Sequence, residues 1–303
     1  MAKQEDETLR TKLEIGSYVL RLSTDFFHDE GFIQLLPVML GRSTDPLGPD
    51  PGSMIVKTPE IEYNGTLLYT MNSMILHKQV AVKKLGKIFI LSPNIRLERP
   101  ERKATGKHLF EFTQLDFEIA GASKEEVIAL VEKYFAFLSD GLAKRRALFA
   151  RIGVEPFEFK TPFARYTTHE LEERYGSDWE LKASKDHSQP FWAMCHKREF
   201  YDKEDESEPG HYLNYDLIYP LGYGEALSGA EREHAYERII KRMGNDKLEM
   251  KVYQAYLNEA KDGFVPSAGA GFGVERLVRF LTRSEHVGDV QMFRRVPGEE
   301  IRV

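Results

Sequence analysis

The stretch Gly106–Glu118, GKHLFEFTQLDFE, narrows the folds open to this 303-residue chain more than any other. It alternates as a strand does, with successive side chains on opposite faces. Thr113, Leu115 and Phe117 on one face are core material. Phe112, Gln114, Asp116 and Glu118 share the other. A ring, an amide and two carboxylates in a row read as one wall of a small site. The competing reading is a solvated hairpin with surface charges, but a wet edge rarely spends Phe and Gln.

The rest of the chain gives that strand its company. Residues 8–30 carry Leu9, Leu13, Val19, Leu22 and Phe26 near one helical face. GFIQLLPVML reads as a strand interrupted by Pro37, and residues 43–53 as a Pro/Gly/Asp loop. EIEYNGTLLYT places two short strands around Asn64-Gly65, a hairpin signal. A helix over 73–85 and the buried strand KIFILS follow. Ser123 and Glu126 form a capping box for one long helix over 123–150. TTHELEERYG is a short helix, and 176–210 reads as irregular around the strand PFWAMC. Strands outnumber helices in the middle without regular alternation. This predicts an α+β fold, a mostly antiparallel sheet with flanking helices, in a single domain over 1–303.

Composition closes off several classes of function. No apolar run approaches the ~20 residues of a membrane span, and the polar start MAKQEDETLR is no signal peptide. A single cysteine, Cys195, excludes an internal disulfide and a Cys-rich metal site. The chain reads as cytoplasmic. With a net charge of −6 and no long basic run, it shows no nucleic-acid footprint.

Three segments carry chemistry. In NIRLERPERKATGKHLFEFTQLDFE, Arg96 and Glu98 share a strand face, and a polar loop with Lys103, Lys107 and His108 leads back into the opening strand. A hairpin that brings Arg96 near Phe112, Gln114 and Asp116 offers a cation for phosphate, a ring for a base and a carboxylate for an ammonium. In GYGEALSGAEREH, Glu225 and Ser228 suit a hard Mg²⁺ that binds a nucleotide's phosphates. The same residues also fit a loop entering a helix, with Ser228 as N-cap and Glu231 its capping-box partner. In PSAGAGFGVERLVRF, glycines including Gly269 and Gly273 permit close backbone approach. Arg276 follows in the first turn of a helix, where a cation opposes the helix dipole and so suggests a task.

Together these segments resemble the catalytic core of class II aminoacyl-tRNA synthetases of the aspartyl/asparaginyl subgroup. Residues of about 8–40 look like motif 1, the family's dimer element; about 94–120 match motif 2, and about 266–284 match motif 3. GEALSGAEREH matches the subgroup's Glu-x-x-Ser-Gly-x-x-Arg signature, Glu225 to Arg232. The resemblance implies a six- or seven-stranded antiparallel sheet, a homodimer, and ATP-dependent adenylation of a carboxylate with Mg²⁺. Carried onto this chain, Arg96 grips the α-phosphate, Phe112 and Arg276 sandwich adenine, and His108 lies near the γ-phosphate. Glu98 and Gly273 complete the ATP site, and Glu225 and Ser228 hold the metal. Ser73, Lys78, Gln114, Asp116, Arg232 and Gly269 form the amino-acid pocket.

Lys78 falls where aspartyl enzymes carry the lysine of a Ser-Pro-Gln-x-x-Lys-Gln run, which asparaginyl enzymes lack. Lys78 and Arg232 are then two cations for one carboxylate, and a neutral amide would leave a charge unpaired. The substrate reads as aspartate. Taken alone, Lys78 reads as a solvated helix lysine, the commoner fate of that residue. Two departures stand out: the family's anticodon-binding domain is not expected, since motif 1 begins almost at Met1, and Ile75 replaces the Gln that helps read the substrate's ammonium. A stand-alone core of this kind resembles ammonia-dependent asparagine synthetases. There the β-carboxylate is activated and ammonia attacks the adenylate, with tRNA not expected as a partner. Asp45, Asp116 and Glu118 are candidates to deprotonate ammonium; Asp45 is preferred, although it also fits a turn before Pro46. The alternatives are a core-only paralogue that transfers aspartate to a tRNA or protein, and a non-catalytic nucleotide-binding dimer.

Overall fold

In a computed structural model, residues 2–47, 54–196 and 198–302 are described. The first half runs α1 (Ala2–Asp29), β1 (Ile33–Leu35), β2 (Leu40–Gly41), β3 (Ile55–Lys57), β4 (Glu60–Tyr63), β5 (Thr66–Thr70), α2 (Ile75–Leu85), β6 (Lys87–Ile95), β7 (Leu97–Glu98) and β8 (Glu111–Ala120). Next come α3 (Lys124–Ala143), α4 (Arg146–Ala150), β9 (Ala164–Thr167), α5 (Thr168–Tyr175), α6 (Trp179–Asp186) and β10 (Phe191–Met194). The last third holds β11 (Asn214–Tyr219), β12 (Gly224–Glu231), α7 (Tyr236–Asn245), α8 (Gln254–Lys261), β13 (Ser267–Gly273) and α9 (Val274–Leu281).

One sheet of eight strands organises the molecule, in the order β1-β6-β8-β13-β12-β11-β10-β9. Its central pairs, from β6 across to β10, are antiparallel. Both outer pairs, β1 with β6 and β9 with β10, are parallel. The six or seven strands expected thus become eight, because two short segments separated from their partners by helices add parallel edges.

The two faces of β8 part as its alternation requires. Leu115 and Phe117 are fully buried against α1, α3 and α9. Along α1, Ile15, Val19, Leu22 and Phe26 fall on one stripe, and Phe27 stacks on Phe89 of β6 at 5.3 Å between ring centroids. Gly31, at φ +80°, ends the turn after α1, in a conformation that costs other residues more. The opposite face of β8 meets α2, beyond which α7, α8 and the aromatic pair Phe200 and Tyr201 form a second core.

Local signals hold in most places. Ser123 caps α3 through the Glu126 amide, and Glu126 returns the bond to the Ser123 amide. Asn64 and Gly65, both at positive φ, make the β4–β5 turn. Three readings change. The helix expected over 123–150 breaks after Lys144, where Arg145 leaves helical dihedrals and lies over the Tyr18 ring of α1. The stretch read as irregular contains α6. GEALSGAE is a strand throughout, so Ser228 caps no helix, and Glu231 instead accepts the Lys124 amide at the start of α3. Of the Pro/Gly/Asp loop, residues 48–53 lie outside the described set.

Candidate active site

The polar row of β8 needs room above it, and β13 supplies that room. In register, Gly269 faces Glu118, Gly271 faces Asp116, and Gly273 faces Gln114. A Cβ at Gly271 would lie 2.4 Å from Asp116 Oδ1, and one at Gly269 2.3 Å from Glu118 Oε2. Alternate glycines on one strand therefore clear space for alternate polar side chains on its neighbour. The rung continues outward: Gly271 pairs with Ser228 of β12, and Ser228 with Asp216 of β11. Asp216, Ser228 and Asp116 thus share one sheet face, the floor of a cavity of about 590 Å³.

At one end of that floor the charges are paired. Lys78 Nζ donates to Asp116 Oδ1 at 3.0 Å and lies 3.8 Å from Glu118. Arg232 donates to both Glu118 oxygens, at 3.0 and 3.3 Å, and to Asp202 Oδ1 at 3.3 Å. Lys78 and Arg232 are 2% and 5% exposed, so Lys78 is no solvated helix lysine. Asp116 Oδ2 is buried and has no partner among the described residues. Ser73 Oγ accepts the Ile75 amide where the chain turns into α2, and Gln114 accepts from Asn94 Nδ2. Ser73, Ile75, Gln114 and Asp116 line the cavity. Gly269 does not: its carbonyl accepts Arg232 Nη2 at 3.1 Å and so positions Arg232. Glu118, on the same strand face as Asp116, is fully buried.

The other end is cationic. The Arg96 guanidinium lies 5.2 Å from the Phe112 ring centroid, and its Nε donates to the Asn72 carbonyl. Arg276 donates to the Lys107 carbonyl and pairs with Glu225 at 3.2 Å. Desolvation opposes ionisation of Glu225, but Arg276, Lys107, Arg198 and Arg96 outweigh it and hold the carboxyl at about 2. Glu98 and Gly273 also line this end, with Glu98 accepting the Met54 amide. His108 lines this end of the cavity, with its ring bonded within its own loop. Arg102 can only donate, so His108 Nε2 accepts from it, and Nδ1 faces Thr105 Oγ1. Burial, then Arg276 and Arg102, push its imidazole far below the usual range. With both nitrogens engaged inside its own loop, this neutral ring braces Arg102.

Several lining residues escaped the sequence reading. Arg198 donates to Ser228 and Asp216. Burial pushes Asp216 up to about 7 despite Arg198, and its Oδ1 has no hydrogen-bond partner among the described residues. An aspartate in the otherwise apolar run YDLIY was the available signal. Asp216, Glu225 and Ser228 present hard oxygens of the kind a divalent cation takes, with Asp216 Oδ1 left open toward one. The wall above Arg232 holds Asp45, Glu199, Tyr201 and Asp202. Asp45 accepts the Leu47 amide through Oδ1 and the Tyr201 hydroxyl through Oδ2, both at 3.0 Å. Its turn and its cavity position thus coexist. REFYD, the source of this wall, has no periodicity that would have announced it.

Comparison with known proteins agrees with this geometry. The tRNA synthetases class II (D, K and N) family matches residues 1–297. The chain belongs to that family of ligases. Its relatives include the asparagine–tRNA ligases of Pyrococcus abyssi, 28% identical over 79% of this chain and 59% of that one, and of Thermococcus gammatolerans, 26% identical over 94% and 69%. The asparaginyl-tRNA synthetase of Pyrococcus horikoshii, solved with asparaginyl-adenylate, superposes with a TM-score of 0.84 at 23% identity, over 97% of this chain and 70% of that one. An aspartyl-tRNA synthetase from Entamoeba histolytica does so at 0.77 and 24%, over 96% and 59%. These relatives and solved structures are asparaginyl and aspartyl members of the family, and the chain spans 59% of the Pyrococcus abyssi relative's length. Among the described residues no helix is long and apolar enough to cross a membrane.

Proposed function

We propose that the chain is an AMP-forming ligase that activates aspartate with ATP and passes the acyl group to ammonia, making asparagine. The observation that carries this reading is the buried pair Lys78 and Arg232, joined through Glu118. Both cations line the cavity, where a substrate carboxylate can meet them. The free Asp116 Oδ2 suits the substrate's ammonium. Ile75 lines the same pocket and offers no polar group there.

In this reading Phe112 and Arg276 hold adenine, and Glu98 and Gly273 flank it. Arg96 meets the α-phosphate as the aspartate β-carboxylate attacks phosphorus and pyrophosphate leaves. Positioning and charge stabilisation supply the catalysis. Asp216, Glu225 and Ser228 would hold Mg²⁺, which supplies positive charge to the phosphates. Four cavity-lining carboxylates, Asp45, Asp116, Glu199 and Asp202, stand against two cations at the amino-acid end, which suits a cationic second substrate.

A second reading, transfer of the activated amino acid to a tRNA, rests on the asparagine–tRNA ligases among the relatives. Product analysis separates the two. The protein is incubated with ATP, Mg²⁺, labelled aspartate and ammonium, with and without bulk tRNA. Asparagine and AMP formed without tRNA are expected. Label fixed on tRNA and no asparagine would replace the first reading with the second.

A further inference from the structure

Five carboxylates surround the amino-acid end of the cavity, and four are committed. Asp45 gives one oxygen to the Leu47 amide and the other to Tyr201. Asp202 accepts Arg232 through Oδ1 and Asn214 Nδ2 through Oδ2. Glu118 is shared by Arg232, Lys78 and Ser267. Asp116 holds Lys78, with one oxygen left for the amino acid. Glu199 is the exception. It is 5% exposed and lines the cavity, and beyond its own backbone amide no described group bonds or pairs with its carboxyl. The backbone holds it in place, since Arg242 Nη2 donates to the Glu199 carbonyl at 2.6 Å. A buried, unpaired carboxylate facing an open space costs stability unless something cationic meets it there.

We propose that Glu199 forms, with Asp45 and Asp202 behind it, the subsite for the ammonium ion and is the base that deprotonates it. The inference rests on the asparagine-forming reading above and replaces Asp45, whose oxygens are both engaged, as the preferred base. The ionisable groups facing Glu199 are Asp45, Asp202, Tyr201 and Arg198. Burial first, and then Asp45 and Asp202, push its carboxyl up to about 8, which places the base near the working pH. In the step itself, Glu199 takes one proton from ammonium. The freed lone pair forms the C–N bond at the acyl carbon of aspartyl adenylate. The C–O bond to AMP then breaks with its electron pair on the phosphate, and the nitrogen's second surplus proton passes to water.

The test uses two nucleophiles on the whole protein with ATP and aspartate. Ammonium must lose a proton before it attacks; hydroxylamine is already neutral at pH 7. Glu199→Gln is expected to lower ammonium kcat/KM by about 100-fold or more. The same variant should keep hydroxamate formation and aspartate-dependent ATP–pyrophosphate exchange. Equal loss with both nucleophiles while exchange is retained, or an unchanged ammonium kcat/KM, overturns the assignment. So does a raised KM for aspartate in exchange, which would place Glu199 on the substrate's own ammonium. Should the glutamine variant lose exchange as well, Glu199→Asp carries the same comparison, with a raised ammonium KM and intact hydroxamate formation expected. A wild-type protein that runs exchange but makes no asparagine overturns the function itself, before any variant is made.

Discussion

At the scale of single residues, the site depends on charges that are buried in pairs. Removing one partner of such a pair strands the other, which typically costs ~3–5 kcal/mol. Lys78 balances Asp116 and approaches Glu118, so Lys78→Ala is expected to destabilise the fold by about that amount and to abolish aspartate-dependent exchange. Thermal unfolding and exchange assays check the two halves separately. Phe112 presents its ring to the cavity, and stacking on a base is worth ~1–3 kcal/mol. Phe112→Ala should therefore raise the KM for ATP about tenfold while leaving the aspartate KM unchanged. An ATP KM equal to wild type would move adenine elsewhere in the cavity.

At the scale of elements, the pairing of β8 with β13 makes the floor. The alternation of Phe112 to Glu118 was legible in the sequence because a strand's period is two. The glycines of GAGFG were legible only as permission for close approach, since register with a strand about 150 residues away leaves no local mark. Gly271→Ala sets that register as a test. Its Cβ would lie 2.4 Å from Asp116 Oδ1 and 2.6 Å from Gln114 Nε2, so the floor must shift. Misplacement on the order of 1 Å costs about 100-fold in rate, and exchange activity is expected to fall by that much with the fold retained. Gly16→Ala is the control: in α1, its Cβ would meet only Val278 at 3.5 Å, and activity should be unchanged. The break at Arg145 was equally invisible, since the ring over which its guanidinium lies belongs to another helix.

At the scale of the whole molecule, two properties follow from how groups are distributed. Ile33, Leu36, Met39 and Leu40 stand exposed together after α1, with Leu36 90% exposed. If this segment is the dimer element that the motif 1 resemblance implies, Leu36→Glu should convert a dimer to a monomer in sedimentation velocity. A monomeric wild type would remove that role. The second property is pH dependence. Burial first pushes both Glu199 and Glu275 up, to about 8 and about 7, from an ordinary value of 4.5. The folded state therefore keeps protons that the unfolded chain releases. Their stabilising contribution is full below pH 4.5 and is lost as pH rises to about 8. The melting temperature should fall across that window, and Glu275→Gln should flatten the slope. Glu225, held at about 2, contributes in the opposite sense: its stabilisation is present above 4.5 and disappears only in acid.

Helix stripes, the capping box at Ser123, the Asn64-Gly65 turn and the two-faced strand at Phe112 were all determined by the sequence itself. Each depends on residues a few positions apart, whose geometry the backbone dictates locally. The family motifs reach further because their spacing stands in for contacts that cannot be seen directly. Tertiary structure alone decided which carboxylates are free. Asp45, Glu118, Asp202 and Glu199 are alike on the page as acidic residues. They differ because Tyr201 and Arg232, from distant parts of the chain, and Asn214, 12 residues on, occupy three of them, and none of these partners reaches the fourth. Hydrogen bonds and ion pairs fall off within a few ångströms, so the state of a buried charge belongs to its neighbours in space rather than in sequence.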